Sequence, residues 1–375
     1  MVYLDNAATS KFKPECVQNA VLNSLKYLSA NPGRGGHSMS LKCARLVHKA
    51  RTAVSYFVGL DCASVVFTLN CTHALNLAIL GNIKKGGHII TTLYEHNSVL
   101  RPLHELARKG DITLSVLPPD DGGAVSSSSI LSALNPNTYM VVTNHISNVT
   151  GGVTPVQEIG RLCKRKGLLY LVDAAQSGGY VPINMKDDNI DMLALAPHKG
   201  LHAPMGIGVL AMQTHIQPQP VLYGGTGTDS VSLYQPDELP ESLESGTLPT
   251  PAIAGTLAGV NWSKIAMLEY ADKGRVLSEY ALSELKKIDG VRLYSAPSSV
   301  GGMISFNVGD MHSGEFAQLL SSQYDICVRG GLHCAPLIHK YLGTLQSGIV
   351  RASVGVDTTF SDIEYFIKAV KELAR

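Results

Sequence analysis

Leu168-Leu169-Tyr170-Leu171-Val172-Asp173-Ala174-Ala175-Gln176 is an unbroken apolar run that ends in an acid. A run of this length without polar alternation reads as a strand buried on both faces, here over 168–173. Similar short runs occur at 64–67, 88–92, 112–117, 139–145, 190–195 and 207–212. Helix-like segments fall between them at 72–80, 99–109 and 155–166. The strand–helix alternation predicts an α/β fold: a mostly parallel seven-stranded sheet covered by helices on both faces.

Beyond residue 212 the pattern changes. Residues 224–230 and 239–251 are rich in glycine, proline and polar residues and read as loops. A long helix is expected over 252–287, with Gly255 and Gly259 near its start, followed by strands at 291–294 and 303–308 and helices at 314–322 and 361–373. This tail predicts a smaller α+β C-terminal domain. Ser126 to Ser129 read as a loop and helix cap, and no internal repeat is present.

Of 375 residues, 45% are hydrophobic and 16% charged, as in a protein with a large core. Its 31 basic and 30 acidic residues leave a net charge of +1, which gives no footprint for nucleic acid or an anionic membrane. Lys164-Arg165-Lys166 fits the solvated last turn of a helix. No apolar run has the length of a membrane span, and the first residues lack a basic-then-apolar signal pattern. The seven cysteines are odd in number and irregularly spaced, so free thiols and a cytoplasmic location are expected.

Chemistry-bearing residues gather where strands end. Asp173 closes one strand. Lys199 follows another in Leu193-Ala194-Leu195-Ala196-Pro197-His198-Lys199-Gly200. Singly, such a lysine is a surface residue and such an acid a turn former. Together at one sheet edge they suit pyridoxal 5′-phosphate (PLP): a lysine in a dry site to form a Schiff base, and a carboxylate to keep the pyridine nitrogen protonated. Gln176 lies three residues on, placed for the ring hydroxyl. Asn70-Cys71-Thr72-His73 opens a helix whose free amides and Thr72 hydroxyl make a phosphate cradle. His96 follows the 88–92 strand, where an imidazole can stack on the ring and move protons.

Taken together these segments resemble the cysteine desulfurase and selenocysteine lyase family, within the class V aminotransferase group of fold-type I PLP enzymes and the subgroup with an R-x-G-x-H-C loop. The resemblance runs from Tyr3-Leu4-Asp5-Asn6-Ala7-Ala8-Thr9 and Asn31-Pro32-Gly33-Arg34-Gly35-Gly36-His37, through Glu95-His96, His145-Ile146-Ser147-Asn148-Val149 and His198-Lys199. It closes with Glu244-Ser245-Gly246-Thr247, Arg329-Gly330-Gly331-Leu332-His333-Cys334 and Val350-Arg351-Ala352-Ser353. It implies a large domain over 15–251 and a small one formed by 1–14 with 252–375. It also implies that Lys199 carries PLP, Asp173 faces the pyridine nitrogen, Gln176 meets the ring hydroxyl and His96 stacks on the ring. Thr72, His73 and His198 would hold phosphate, with Thr226 reaching in from the second subunit of a homodimer. Asn148, Arg329 and Arg351 would serve the substrate, Asn148 and Arg351 gripping its carboxylate. Cys334 would take sulfur, or selenium, as a persulfide from cysteine or selenocysteine, leaving alanine for the small-molecule product and passing sulfur to an acceptor, possible protein partners included.

Two positions depart from the family. Ala196 stands where a phosphate-binding Ser or Thr is usual, and Pro197 where a residue with a backbone N–H is usual. Of the other cysteines, Cys16, Cys43, Cys62 and Cys163 read as residues in or beside helices, and Cys71 has no family role. Rival readings are a PLP lyase or transaminase that uses Lys199 without Cys334, and a non-catalytic sulfur-carrier scaffold. The chain has no G-x-G-x-x-G after an early strand and no G-x-S-x-G, and His333, Cys334 and His339 do not form a metal-ligand spacing.

Overall fold

The structure is a computed structural model that describes residues 1–33, 35–60, 64–120, 123–228, 230–296 and 301–375. Arg34 and Cys62 therefore lie outside the described residues. The chain opens with strand β1 (Val2–Tyr3) and helices α1 (Glu15–Tyr27) and α2 (Ser38–Phe57). The large sheet then forms from β2 (Ser64–Thr68), β3 (Gly87–Thr92), β4 (Ile112–Leu117), β5 (Thr138–Asn144), β6 (Leu169–Asp173), β7 (Met192–Leu195) and β8 (Gly208–Met212). Its order is β2-β8-β7-β6-β5-β3-β4. β8 alone is reversed relative to the other six strands. The mostly parallel seven-stranded sheet expected from the apolar runs is present.

Side-chain alternation explains why these strands are apolar throughout. Ile90, Val141, Tyr170, Val172, Leu193, Leu195 and Val209 enter one core, on one face of the sheet. Their neighbours Ile89, Met140, Val142, Leu171, Met192, Ala194 and Leu210 enter a second core on the other face. Helices α3 (Cys71–Leu80), α4 (Asn97–Arg108), α5 (Ser127–Ala133) and α6 (Val156–Lys166) connect the strands. Gly167 ends α6 at φ 65°, after the basic turn Lys164-Arg165-Lys166.

Helix α7 (Thr250–Leu285) has 36 residues and spans about 54 Å. Its first turns, with Ile253 and Val260, pack into the core shared with β6. Its far end, with Leu277, Ala281 and Leu285, enters a third core. That core lies in the C-terminal part: β9 (Val291–Leu293), β10 (Met303–Val308), α8 (Ser313–Tyr324), β11 (Ile326–Cys327), β12 (Arg329–Gly331), α9 (Pro336–Tyr341), β13 (Ile349–Ser353) and α10 (Phe360–Leu373). The order β12-β13-β10-β9 makes an antiparallel sheet, and β11 pairs with β1 in parallel.

Gly259 has a specific task. A Cβ there would stand 2.0 Å from the Leu201 carbonyl oxygen, so only glycine lets α7 pass this close to the segment after Lys199. The helix thereby fixes the loop that carries the lysine. The long helix begins two residues earlier than expected, taking in Thr250 and Pro251.

Candidate active site

The C-terminal ends of β2, β3, β5, β6 and β7 meet at one edge of the sheet, the crevice where α/β sheets bind ligands. A cavity of about 250 Å³ opens there, lined by Thr72, His96, Asn148, Asp173, Gln176, His198 and Lys199 among others. Seven sequence-predicted residues from five separate segments are thus brought together. Asp173 is the last residue of β6, and Thr72, His96, Asn148 and Lys199 each lie four residues beyond the ends of β2, β3, β5 and β7.

Asp173 is 5% exposed, and its Oδ1 accepts from the Ala175 N–H at 2.9 Å. The Cys71 thiol lies 3.8 Å from the same oxygen. Burial pushes the Asp173 carboxyl up, against the backbone hydrogen bond and the Lys199 charge, which lower it. Burial likewise lowers Lys199, opposed first by the charge of Asp173. Its amine is therefore biased toward the free base, the nucleophilic form.

His96 caps α4. Its Nδ1 accepts from the Ser98 N–H at 3.1 Å, and the Ser98 hydroxyl bridges it (2.8 Å) to the Thr72 hydroxyl (2.7 Å). Burial, then the Lys199 charge, lower the His96 pKa to about 4, so the ring is neutral and its proton sits on Nε2. His198 is also lowered to about 4, by burial first, and its Nδ1 lies 3.1 Å from the Thr9 hydroxyl. Gln176 donates from Nε2 to the Ala7 carbonyl at 3.0 Å. Ala196 lines the cavity and brings no side-chain donor.

Two predicted phosphate residues stand apart. The His73 ring turns back, its Nδ1 accepting from the Leu69 N–H at 3.3 Å, and it is not among the cavity-lining residues. Thr226 lines another cavity, beside Gly33, Arg51 and Glu244. Within one chain it does not reach Lys199.

Cys334 is exposed and lines an outer groove that shares Thr72, His96 and Ser98 with the lysine cavity. His333 and Cys334 have φ of 49° and 57°, in the left-handed region that non-glycine residues rarely adopt. The Asn148 amide and the Asn97 N–H hold the carbonyls of these two residues. His333 Nε2 contacts the Ile349 carbonyl at 2.9 Å, while burial lowers the ring to about 3. Arg351 is 3% exposed, donates from Nη1 to the Asn148 carbonyl at 2.8 Å and pairs with Asp5 at 3.3 Å. Burial lowers its pKa to about 10. Arg329 meets the same Asp5 carboxylate at 2.9 Å.

Asp5, Glu95 and Ser98 carry no expected role in the sequence pattern. Glu95 is wholly buried beneath the site. Its Oε1 accepts from the Thr92 hydroxyl and the Asn144 N–H, while Oε2 has no partner. The position of Ser98, two residues after His96, is the one local signal among these; the Asp5 pairing spans 324 and 346 residues of sequence.

The donor set fits PLP. Asp173 is a buried acid whose carboxyl is raised by burial, a setting in which a pyridinium is a fitting partner. Asn148 Oδ1 is buried without a partner in the same cavity. The N-terminal turn of the ten-residue helix α3 offers free amides beside Thr72.

The chain is similar to known proteins along its whole length. A probable cysteine desulfurase of Methanothermobacter thermautotrophicus is 33% identical over 380 residues, covering 100% of this chain and 94% of the relative. A cysteine desulfurase of Haloferax volcanii is 30% identical, covering 99% of this chain and 88% of its own. Among solved structures, the apo cysteine desulfurase from Thermococcus onnurineus superposes with a TM-score of 0.92 at 33% identity, over 100% of this chain and 94% of that one. The aminotransferase class-V pattern matches residues 2–366, and the chain belongs to that family.

Proposed function

We propose that this protein is a PLP-dependent cysteine desulfurase, converting cysteine to alanine and holding the released sulfur as a persulfide on Cys334. The observation that carries the reading is the juxtaposition of Lys199 and Asp173 in one cavity with Cys334 in the groove that shares its wall. Lys199 would carry PLP, and Asp173, Gln176 and His96 would hold its ring. Thr72 and His198 would serve the phosphate, and Arg351, Arg329 and Asn148 the substrate carboxylate. Bound there, PLP supplies an electron sink for the substrate's carbon atoms.

The chain's own residues do the rest. Lys199, whose amine burial biases toward the free base, moves a proton at the substrate's α-carbon. His96, neutral with its proton on Nε2, is placed to pass a proton toward the reacting sulfur. The Cys334 thiolate forms an S–S bond with the substrate's sulfur while the carbon–sulfur bond breaks. The carbon skeleton takes up a proton and leaves as alanine. Selenocysteine has the same shape and a weaker carbon–chalcogen bond, and it would use the same groups.

Cys334→Ala tests this directly. The variant should bind cysteine, shift the absorption of the bound cofactor, and release almost no alanine. Mass spectrometry of the wild type after brief exposure to cysteine should find one extra sulfur on the Cys334 peptide. Full alanine release by Cys334→Ala would instead favour the simple-lyase reading.

We further propose a two-domain division at 15–251 and 1–14 with 252–375, and a cytoplasmic homodimer in which Thr226 completes the partner's phosphate site. Separate cores around the large sheet and around β10, the second of which takes in Leu4, support two domains, with the first turns of α7 packed into the large one. Val231, Leu233 and Tyr234, at 93%, 97% and 86% exposure just past the Thr226 loop, support burial against a second copy. Sedimentation should find a dimer, and a fully active monomer would refute it. Among the described residues no helix is long and apolar enough to cross a membrane. Transfer of the persulfide to a protein acceptor completes the reading.

A further inference from the structure

Asp5 stands at the start of the chain, bridged through its backbone to Ser353. Its carboxylate is shared by both arginines that the proposed function assigns to the substrate. Arg329 donates Nε to the two carboxylate oxygens at 3.2 Å each, and Nη2 to Oδ2 at 2.9 Å. Arg351 donates Nη2 to Oδ1 at 3.3 Å. The Asp5 and Arg351 side chains are 15% and 3% exposed, and Arg351 Nε is buried with no partner. One carboxylate thus occupies a whole edge of one guanidinium and a corner of the other.

We propose that Asp5 is the resident counter-ion of the substrate's carboxylate subsite, holding Arg329 and Arg351 in place and setting their joint charge for a single incoming carboxylate. This rests on the reading that these arginines take the substrate's α-carboxylate. Two guanidinium groups and one carboxylate leave one net positive charge, which a monocarboxylate neutralises. Without Asp5 the subsite would carry two positive charges, one of them on a buried side chain. A buried, uncompensated charge is costly, so such a site recruits any anion that fits. Asp5 is therefore a positioning residue, and it keeps the subsite from filling with inorganic anions.

The test compares the wild-type holoenzyme with Asp5→Asn, which keeps shape and removes charge, and Asp5→Glu, which keeps charge. Sodium sulfate and sodium acetate are the probes. Each should raise the melting temperature of Asp5→Asn more than that of the wild type, as any ligand of the native state does. Sulfate should also compete with cysteine in Asp5→Asn, raising apparent KM roughly tenfold where the wild type changes less than about twofold, with kcat at saturating cysteine unaffected by sulfate. Asp5→Glu should respond as the wild type does. If Asp5→Asn folds only when sulfate is present, the proposal is upheld. A variant unfolded with and without sulfate, or one whose melting and KM respond to sulfate as the wild type's do, overturns it. The melting measurement needs no turnover, so alanine release without Cys334 would sink the desulfurase reading and leave this one standing.

Discussion

Asn148 donates from its side-chain amide to the carbonyl oxygen of His333 at 2.7 Å, joining the wall of the lysine cavity to the residue before Cys334. The next carbonyl, of Cys334 itself, accepts from the Asn97 N–H at 2.6 Å, beside His96. Two successive left-handed residues cost about 1–2 kcal/mol each, so these bonds are what keep the cysteine loop in its strained form. Asn148→Ala and the isosteric Asn148→Asp, whose carboxylate cannot donate, should both release it. Hydrogen exchange at the Asn97 amide should speed up by about tenfold or more, and persulfide formation on Cys334 should slow. Unchanged exchange in both variants would mean that Asn148 does not hold the loop.

Glu95 makes stability depend on pH. Burial raises its pKa to about 8, offset only in part by the bonds from Thr92 and Asn144. An acid raised in the folded state holds its proton more tightly there than in the unfolded chain. Its contribution is therefore full below the unfolded value, near 4.5, and is lost as pH rises toward about 8. Glu95→Gln keeps an acceptor for Thr92 and Asn144 and cannot ionise. Urea unfolding should find the variant close to wild type at pH 5 and more stable at pH 8, by on the order of 3 kcal/mol. Parallel pH profiles for the two proteins would count against a buried neutral Glu95.

Much of this site was legible because its parts are local. Asp173, Gln176, His96, Thr72 and Lys199 each follow a strand end, and an apolar run announces the strand. The layout of the large sheet was readable for the same reason. Other features depend on long-range contact, which no local pattern carries. Asp5 gives no sign that it will meet Arg329 and Arg351. Strand β13 has Arg351 at its centre and β12 is Arg-Gly-Gly, so neither shows the apolar run that marks a strand. Helix α2 has six buried positions in 20 residues, too sparse an apolar face to stand out. The His73 ring folds back onto the helix cap, a rotamer choice that spacing does not determine.

Glu244, in the Glu-Ser-Gly-Thr segment, is a structural anchor. It is 6% exposed at the side chain and pairs with both Arg51 Nη1, at 2.7 Å, and Nη2, while accepting from the Phe67 N–H at 2.6 Å. Arg51 also donates to the Val65 carbonyl, so the pair ties α2 to the edge strand β2. Removing one partner strands the other charge in a low-dielectric setting. Glu244→Ala should lose about 3–5 kcal/mol of stability. Thermal or denaturant melts measure this, and a loss under about 1 kcal/mol would show that Arg51 finds water instead.

Asp173 and its neighbour Cys71 should respond very differently to substitution. Asp173→Asn is nearly isosteric, and its side-chain oxygen still accepts from the Ala175 N–H, so the fold and the cavity should persist. The charge is lost, however, and with it the group that would keep a pyridine nitrogen protonated in a buried site. Alanine release should fall by about 10²–10³-fold, the range for losing one preorganised electrostatic partner, while apo melting stays close to wild type. Cys71 gives the contrasting control. Burial, then the Asp173 charge, push its thiol well up, so at neutral pH it stands 3.8 Å from Asp173 Oδ1 as a neutral, weak donor. Cys71→Ala should therefore cost less than about threefold in turnover, a neutral hydrogen bond of about 0.5 kcal/mol or less. Stopped-flow absorbance of the bound cofactor, with alanine quantified in parallel, measures both variants. Full turnover by Asp173→Asn would reduce Asp173 to a turn residue that happens to end a buried strand. A Cys71→Ala defect as deep as that of Asp173→Asn would mean that the thiol, not the carboxylate alone, sets the charge at the bottom of the cavity.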